Sequence, residues 1–182
     1  MNRRQALQQV SLVLGGTMIG AQAFLNSSFT SGKHGSFLSQ AQIQLLNEIG
    51  ETILPQTDTP GAKAADVGRF MSVIVADCYT PEEQGVFLKG LAKIQQAAEN
   101  QYGKSFLMLT NEERENFLNR IDREHIDYMK NRKQGEQPHY FRMFKELTLS
   151  GYFTSEPGAT QFLKYNPAPG RYDGCTEEKP WH

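Results

Sequence analysis

The chain has 182 residues, a formal net charge of −1 and 38% hydrophobic residues. This length suits one domain, because domains commonly contain roughly 100–200 residues. The nearly balanced charge argues against the strongly basic surface that nucleic-acid binding requires. Aromatic residues make up 10% of the sequence, which favours an ordered domain over a disordered chain.

The N-terminal residues 1–23 are typical of an export leader. Arg3 and Arg4 form a short basic start, a mostly apolar run follows, and residues 21–23 read Ala-Gln-Ala, a small-x-small cleavage sequence. The apolar run is shorter than the about 20 residues that a membrane-spanning helix needs. The paired arginines and Leu7 resemble a twin-arginine signal, which exports folded proteins to the periplasm.

Two other interpretations of this segment remain open: a general secretory signal and an ordinary N-terminal helix. Glycines make the apolar run only mildly hydrophobic, which favours the twin-arginine route. After export the two cysteines, Cys78 and Cys175, become disulfide candidates, with each other or with a partner chain. Cys78 ends an apolar helical face and is expected to be buried, whereas Cys175 lies in a polar segment and is expected to be exposed.

Residues 24–38 are rich in Ser and Gly and predict a flexible linker, followed by a helical domain over residues 39–163. Ser39 is placed to cap a first helix, which Pro55 ends. A second helix is expected from about Ala64 to Cys78, with apolar residues recurring at helical spacing.

Two capping boxes predict the starts of the next two helices. In the first, Thr80 precedes Pro81 and Glu83, and the helix should continue to about Asn100 before Gly103. In the second, a threonine again stands three residues before a glutamate, over residues 110–113.

A fifth helix is expected to open at Pro138 and to end at Gly151, with a short helical turn over about residues 156–163. Residues 164–182 have no helical or strand period and predict an extended tail rich in Pro, Gly and aromatic residues. No alternating strand pattern occurs. The predicted fold is therefore an all-α bundle of about five helices with an extended C-terminal tail.

The sequence contains no recognisable catalytic or cofactor-binding motif. Haem-attachment, nucleotide-binding and serine-hydrolase patterns do not occur. His125 and His139 are the one pair of histidines that neighbouring helices can bring together, although ordinary surface histidines are the simpler interpretation. We therefore predict no catalytic residue, no metal ligand and no cofactor in this chain.

The segment from Leu147 to Thr160 and the tail mix aromatic and small hydroxyl residues without amphipathic period. They either dock onto another protein or pack over the chain's own bundle. The predicted partner-contacting residues are Tyr152, Phe153, Thr154, Ser155, Tyr165, Tyr172 and Trp181.

Three parts of the sequence together resemble the small subunit, subunit 3, of gluconate 2-dehydrogenase-type complexes. They are the twin-arginine leader, the segment Ile53–Ala62, and the segment Phe144–Thr160 with the Tyr-Asn-Pro-x-Pro-Gly-x-Tyr-x-Gly-Cys sequence of residues 165–175. The resemblance covers nearly the whole chain, and its second and third parts are specific.

The resemblance implies a periplasmic accessory subunit without catalytic activity. Its partner would be an FAD-dependent flavoprotein of the glucose-methanol-choline type that oxidises sugars or sugar acids, and a cytochrome c subunit with haem c often accepts the electrons. The small chain would carry the folded flavoprotein across the membrane, and membrane association would come only through the complex or an uncleaved leader. The alternative is a stand-alone periplasmic helical enzyme or ligand-binding protein with a site between helices, near His125 and His139.

Overall fold

The computed structural model describes residues 37–165, which contain five α-helices and no strand. A short 3₁₀ turn precedes the fourth helix, and a π-type turn at Gly158–Phe162 follows the fifth, close to the predicted helical turn. The all-α prediction is confirmed, whereas the leader and residues 166–182 lie outside the described residues. The helices are α1 Gln40–Ile53, α2 Val67–Cys78, α3 Pro81–Tyr102, α4 Asn111–Asn131 and α5 Tyr140–Phe153.

Helices α1, α3 and α4 all begin with a complete capping box. In α3 the Thr80 hydroxyl accepts the backbone N–H of Glu83, and the Glu83 carboxylate accepts the N–H of Thr80. These bonds satisfy donors that the first helical turn would otherwise leave unpaired. Gly103 ends α3 in the left-handed region, at φ 65°, as the sequence predicts.

Other helix boundaries differ from the prediction. Helix α2 begins at Val67 rather than Ala64, because the preceding residues form turns and Asp66 has a φ of 49°, which is not helical. Helix α5 begins after His139 rather than at Pro138, and His139 is its N-cap. Leu38, the last residue of the predicted linker, is fully buried, whereas residues 24–36 of that linker lie outside the described residues.

Two further predictions, for Gly151 and Cys78, are wrong. Gly151 does not end α5, which continues to Phe153; instead it allows α2 to approach, since a Cβ there would lie 2.7 Å from Cδ1 of Phe70. Cys78, expected to be buried, is exposed at the last residue of α2. Cys175 lies outside the described residues.

Helix α5 lies at the centre of the bundle and packs against each of the other four helices. Its Phe144 ring meets Phe87 of α3 edge-on, at 4.8 Å between ring centroids. Burial of these apolar side chains is the main stabilising term. The largest fully buried side chains are Phe87, Phe106, Phe117, Phe141, Phe144, Leu38, Leu45, Leu46, Ile49, Met71, Leu91 and Ile94. Between residues 37 and 165, every helix is too short or too polar to cross a membrane.

Two glycines of α3 allow a matched test of this packing. A Cβ at Gly90 would overlap Cβ and Cγ of Tyr140, whereas a Cβ at Gly85 would meet nothing within 4 Å. We expect Gly90→Ala to lower the free energy of unfolding by about 1–3 kcal/mol, because neither helix backbone can move aside easily. Gly85→Ala should raise it by about 0.5–1 kcal/mol through helix propensity alone. Urea unfolding of both variants checks this, and equal effects would contradict it.

Candidate functional site

The segment Ile53–Ala62 forms a loop that is tied to the end of α1. One carboxylate oxygen of Glu51 accepts the N–H of Gln56 at 2.9 Å, and the other accepts the N–H of Lys63 at 2.8 Å. Ala62 N–H also donates to the carbonyl of Leu54. Glu51, in the last turn of α1, therefore orders the loop that follows this helix.

Tyr152 connects this loop to α5. Its hydroxyl donates to the carbonyl of Pro60 at 2.7 Å, across 92 residues of sequence. The side chain is only 2% exposed, so Tyr152 belongs to the core rather than to the surface where a partner would contact it. The two internal segments that carry the family resemblance are therefore in direct contact with each other.

Removal of this hydroxyl tests the contact. We expect Tyr152→Phe to lower the free energy of unfolding by about 1 kcal/mol, because the ring stays packed while the Pro60 carbonyl loses its donor. Tyr165→Phe is the control, since Tyr165 is 67% exposed. Chemical unfolding and amide exchange of residues 56–63 measure both, and similar results for the two variants would rule out the proposed tie.

An exposed apolar surface lies at the C-terminal end of α5. Phe153 packs against Phe162 of the π-type turn, at 5.4 Å between ring centroids, and both rings contact buried Tyr152. Phe162 is 49% exposed, and Leu149, one turn before Phe153, is 41% exposed. We call Leu149, Phe153 and Phe162 the aromatic surface. It is apolar, accessible and supported by the core.

The other predicted partner-contacting residues have distinct positions. The Thr154 and Ser155 hydroxyls donate to the carbonyls of Ser150 and Tyr152, both at 2.6 Å, and so shape the end of α5. Tyr165 is exposed, and its N–H donates to the carbonyl of Ala159 at 2.9 Å. Tyr172 and Trp181 lie outside the described residues.

A charged groove of about 1030 Å³ lies between the end of α1, the following loop, α4 and α5. The carboxylate of Glu48 pairs there with Lys63 and with Arg114, each at 2.5 Å. Burial favours the neutral form of Glu48, but the bond from Lys63 and the charge of Arg114 outweigh it and lower the pKa of this carboxyl.

A second ion-pair cluster lines the same groove. Lys145 donates to both oxygens of Asp122 at 2.9 and 3.0 Å, and Nδ1 of His125 lies 3.1 Å from one of them. Burial opposes ionisation of Asp122, but these two partners outweigh it and lower its pKa. The charged side chains of both clusters thus pair with one another inside the groove.

His125 and His139 do come together, at 5.8 Å between ring centroids. However, Nδ1 of His139 accepts the N–H of Phe141 at 3.3 Å, so the proton of the neutral ring is on Nε2. A metal at Nε2 would require the other tautomer and the loss of this cap. No group of three or more His, Cys, Asp or Glu side chains suited to a metal ion occurs in residues 37–165. This pair is therefore poorly suited to metal binding.

Sequence reasoning missed several residues that shape these surfaces. Arg114 donates to the carbonyls of Phe106 and Leu107 as well as to Glu48, and so fastens the 3₁₀ turn to α1. Glu51 orders the loop after α1. A charged residue in the last helical turn before a Pro/Gly-rich loop was the available indication for Glu51, whereas no local pattern identifies Arg114.

Residues 37–165 form a small all-helical fold with an ion-paired polar groove and an exposed aromatic surface. A family model described as gluconate 2-dehydrogenase subunit 3 matches residues 40–170. The chain belongs to this family and is thus a small subunit of a dehydrogenase complex. No curated protein and no solved structure is significantly similar to it.

Proposed function

We propose that this chain is a non-catalytic periplasmic subunit that stabilises an FAD-dependent dehydrogenase of the glucose-methanol-choline type and escorts it through the twin-arginine route. Family membership over residues 40–170 carries the proposal. The paired Arg3 and Arg4 support the export role. The flavoprotein would hold FAD and oxidise sugars or sugar acids, and haem c would belong to a third, electron-accepting subunit.

We propose the aromatic surface as the contact with the flavoprotein. Interfaces concentrate binding energy in a few aromatic anchors, and anchors held rigidly before binding lose little entropy. Phe153 and Phe162 fit this description because each ring packs against the other and against Tyr152. The Thr154 hydroxyl, exposed at the end of α5, supplies a polar edge.

Substitution of Phe162 tests the contact. We expect Phe162→Ala to weaken binding of the flavoprotein by about 10- to 100-fold, the range for an interface anchor. Met108→Ala is the matched control. Met108 is also exposed, at 73%, but it lies on the 3₁₀ turn before α4 and does not belong to the aromatic surface. Calorimetric titration of the purified subunits measures the affinity. Equal affinity of the two variants would exclude Phe162 from the interface.

Substitution of both leader arginines by lysine tests the escort role. We expect Arg3→Lys with Arg4→Lys to leave the co-expressed flavoprotein in the cytoplasm, because twin-arginine recognition requires the arginine pair. Fractionation with immunoblotting of both subunits gives the measurement. A flavoprotein that reaches the periplasm equally well with the double variant would refute the escort role but not the interface.

One observation favours a stand-alone ligand-binding protein: His125 and His139 approach each other between α4 and α5. The cap formed by His139 occupies its Nδ1 and keeps the proton of the neutral ring on Nε2, which weakens that alternative. Ligand or metal uptake by the purified single chain, lost in a His125→Gln variant, would favour it over the accessory role.

A further inference from the structure

A cluster of ring side chains joins the C-terminal half of α4 to the connection that leads into α5. The Tyr128 hydroxyl donates to the carbonyl of Gln137 at 2.9 Å, and its ring lies 5.5 Å from His139. The His125 ring approaches His139 from one turn earlier in α4. We call Tyr128, His125 and His139 the ring clasp.

The cap that the ring clasp provides for α5 requires neutral His139. Its Nδ1 accepts the N–H of Phe141 and so satisfies one of the unpaired donors at the start of α5. A protonated imidazole carries hydrogen on both nitrogens and has no acceptor. Protonation therefore removes this cap outright, which does not happen at the Ser or Thr caps of the other helices.

The charges around His139 also disfavour its protonated form. From α3 comes Lys93, whose Nζ lies 5.6 Å from the centre of the Tyr140 ring beside His139. From α4 come His125, which opposes a positive charge, and the exposed Glu124, which favours it. The N-terminal end of α5 itself carries partial positive charge.

The His125 ring has its own fixed environment. On α4 its Nδ1 faces Asp122, and on α5 Lys145 donates to both oxygens of that carboxylate. Asp122 therefore faces His125, whereas no carboxylate of residues 37–165 forms a hydrogen bond with His139. A positive charge on His125 disfavours protonation of His139 and lowers its pKa.

We propose that the ring clasp is an acid-sensitive device: protonation of His139 uncaps α5 and releases the connection of residues 132–139 from α4. This connection forms one wall of a second groove of about 410 Å³, whose opposite wall includes Tyr79 and Glu83. Release of the wall opens this groove without unfolding the bundle, because Tyr140 and Phe141 at the start of α5 stay buried in the core.

The direction of the pH effect follows from the proton balance. Burial, then His125 and Lys93, lower the pKa of His139 below its usual value of 6.5. The unfolded chain consequently binds more protons at this residue than the folded chain. The stability that neutral His139 contributes is complete above about pH 6.5 and falls as the pH drops toward the folded pKa.

Amide exchange of the full chain between pH 7.5 and 5.0 tests the device. Corrected for intrinsic exchange, protection of the Phe141 amide should fall about fivefold at the acid end, the loss expected when an N-cap is removed. The Gln42 amide, which donates to the non-titrating Ser39 hydroxyl, is the internal control and should change little. Equal protection of Phe141 across this range would overturn the proposal.

Two variants separate titration from simple packing. His139→Asn keeps a capping side chain that does not titrate, so the pH dependence of Phe141 protection should disappear while the helix stays capped. His125→Gln removes a nearby positive charge, so the His139 titration followed by NMR should move to higher pH. An unchanged pH dependence in His139→Asn, or an unmoved midpoint in His125→Gln, would each contradict the device.

Discussion

The bundle depends on how closely other helices can approach α5. This helix contacts all four others, and two of these contacts are possible only because glycine has no side chain. Gly90 of α3 lies directly against Tyr140, and Gly151 of α5 lies against Phe70 of α2. Interiors packed as densely as molecular crystals cannot absorb even a methyl group at such points without displacement. Every surface described above is positioned by these contacts, because each includes residues of α5 or of segments attached to it.

Capping boxes predict where helices begin far better than any local pattern predicts how the helices pack. The capping boxes at Thr80 and Thr110 needed only four residues of sequence, and both helices start where these residues predict. The role of Gly151 depends on Phe70, far away in the chain, so a glycine that resembles a helix stop becomes a packing contact. The prediction that Cys78 is buried was wrong because the apolar face of α2 is exposed to solvent at its last residue.

The candidate site was predictable only in part. The sequence pattern singled out the segment around Phe153 as a partner contact, and that role stays a prediction. The structure shows that Phe153 and Phe162 pack together near the surface, whereas Tyr152 is turned inward to Pro60. Which of these residues are exposed and which are buried depends on tertiary contacts, which composition does not encode. The same holds for His125 and His139, whose proximity was foreseeable but whose hydrogen bonds were not.

The hydrogen bond between Tyr152 and Pro60 also has a consequence for the order in which the chain folds. Its partners are 92 residues apart, so the loop after α1 cannot complete its contacts until α5 has been synthesised. Such long-range closure comes late, since the entropy of the intervening chain opposes it. During translation the loop between the first two helices therefore lacks its hydrogen bond to Tyr152 until residue 152 has left the ribosome.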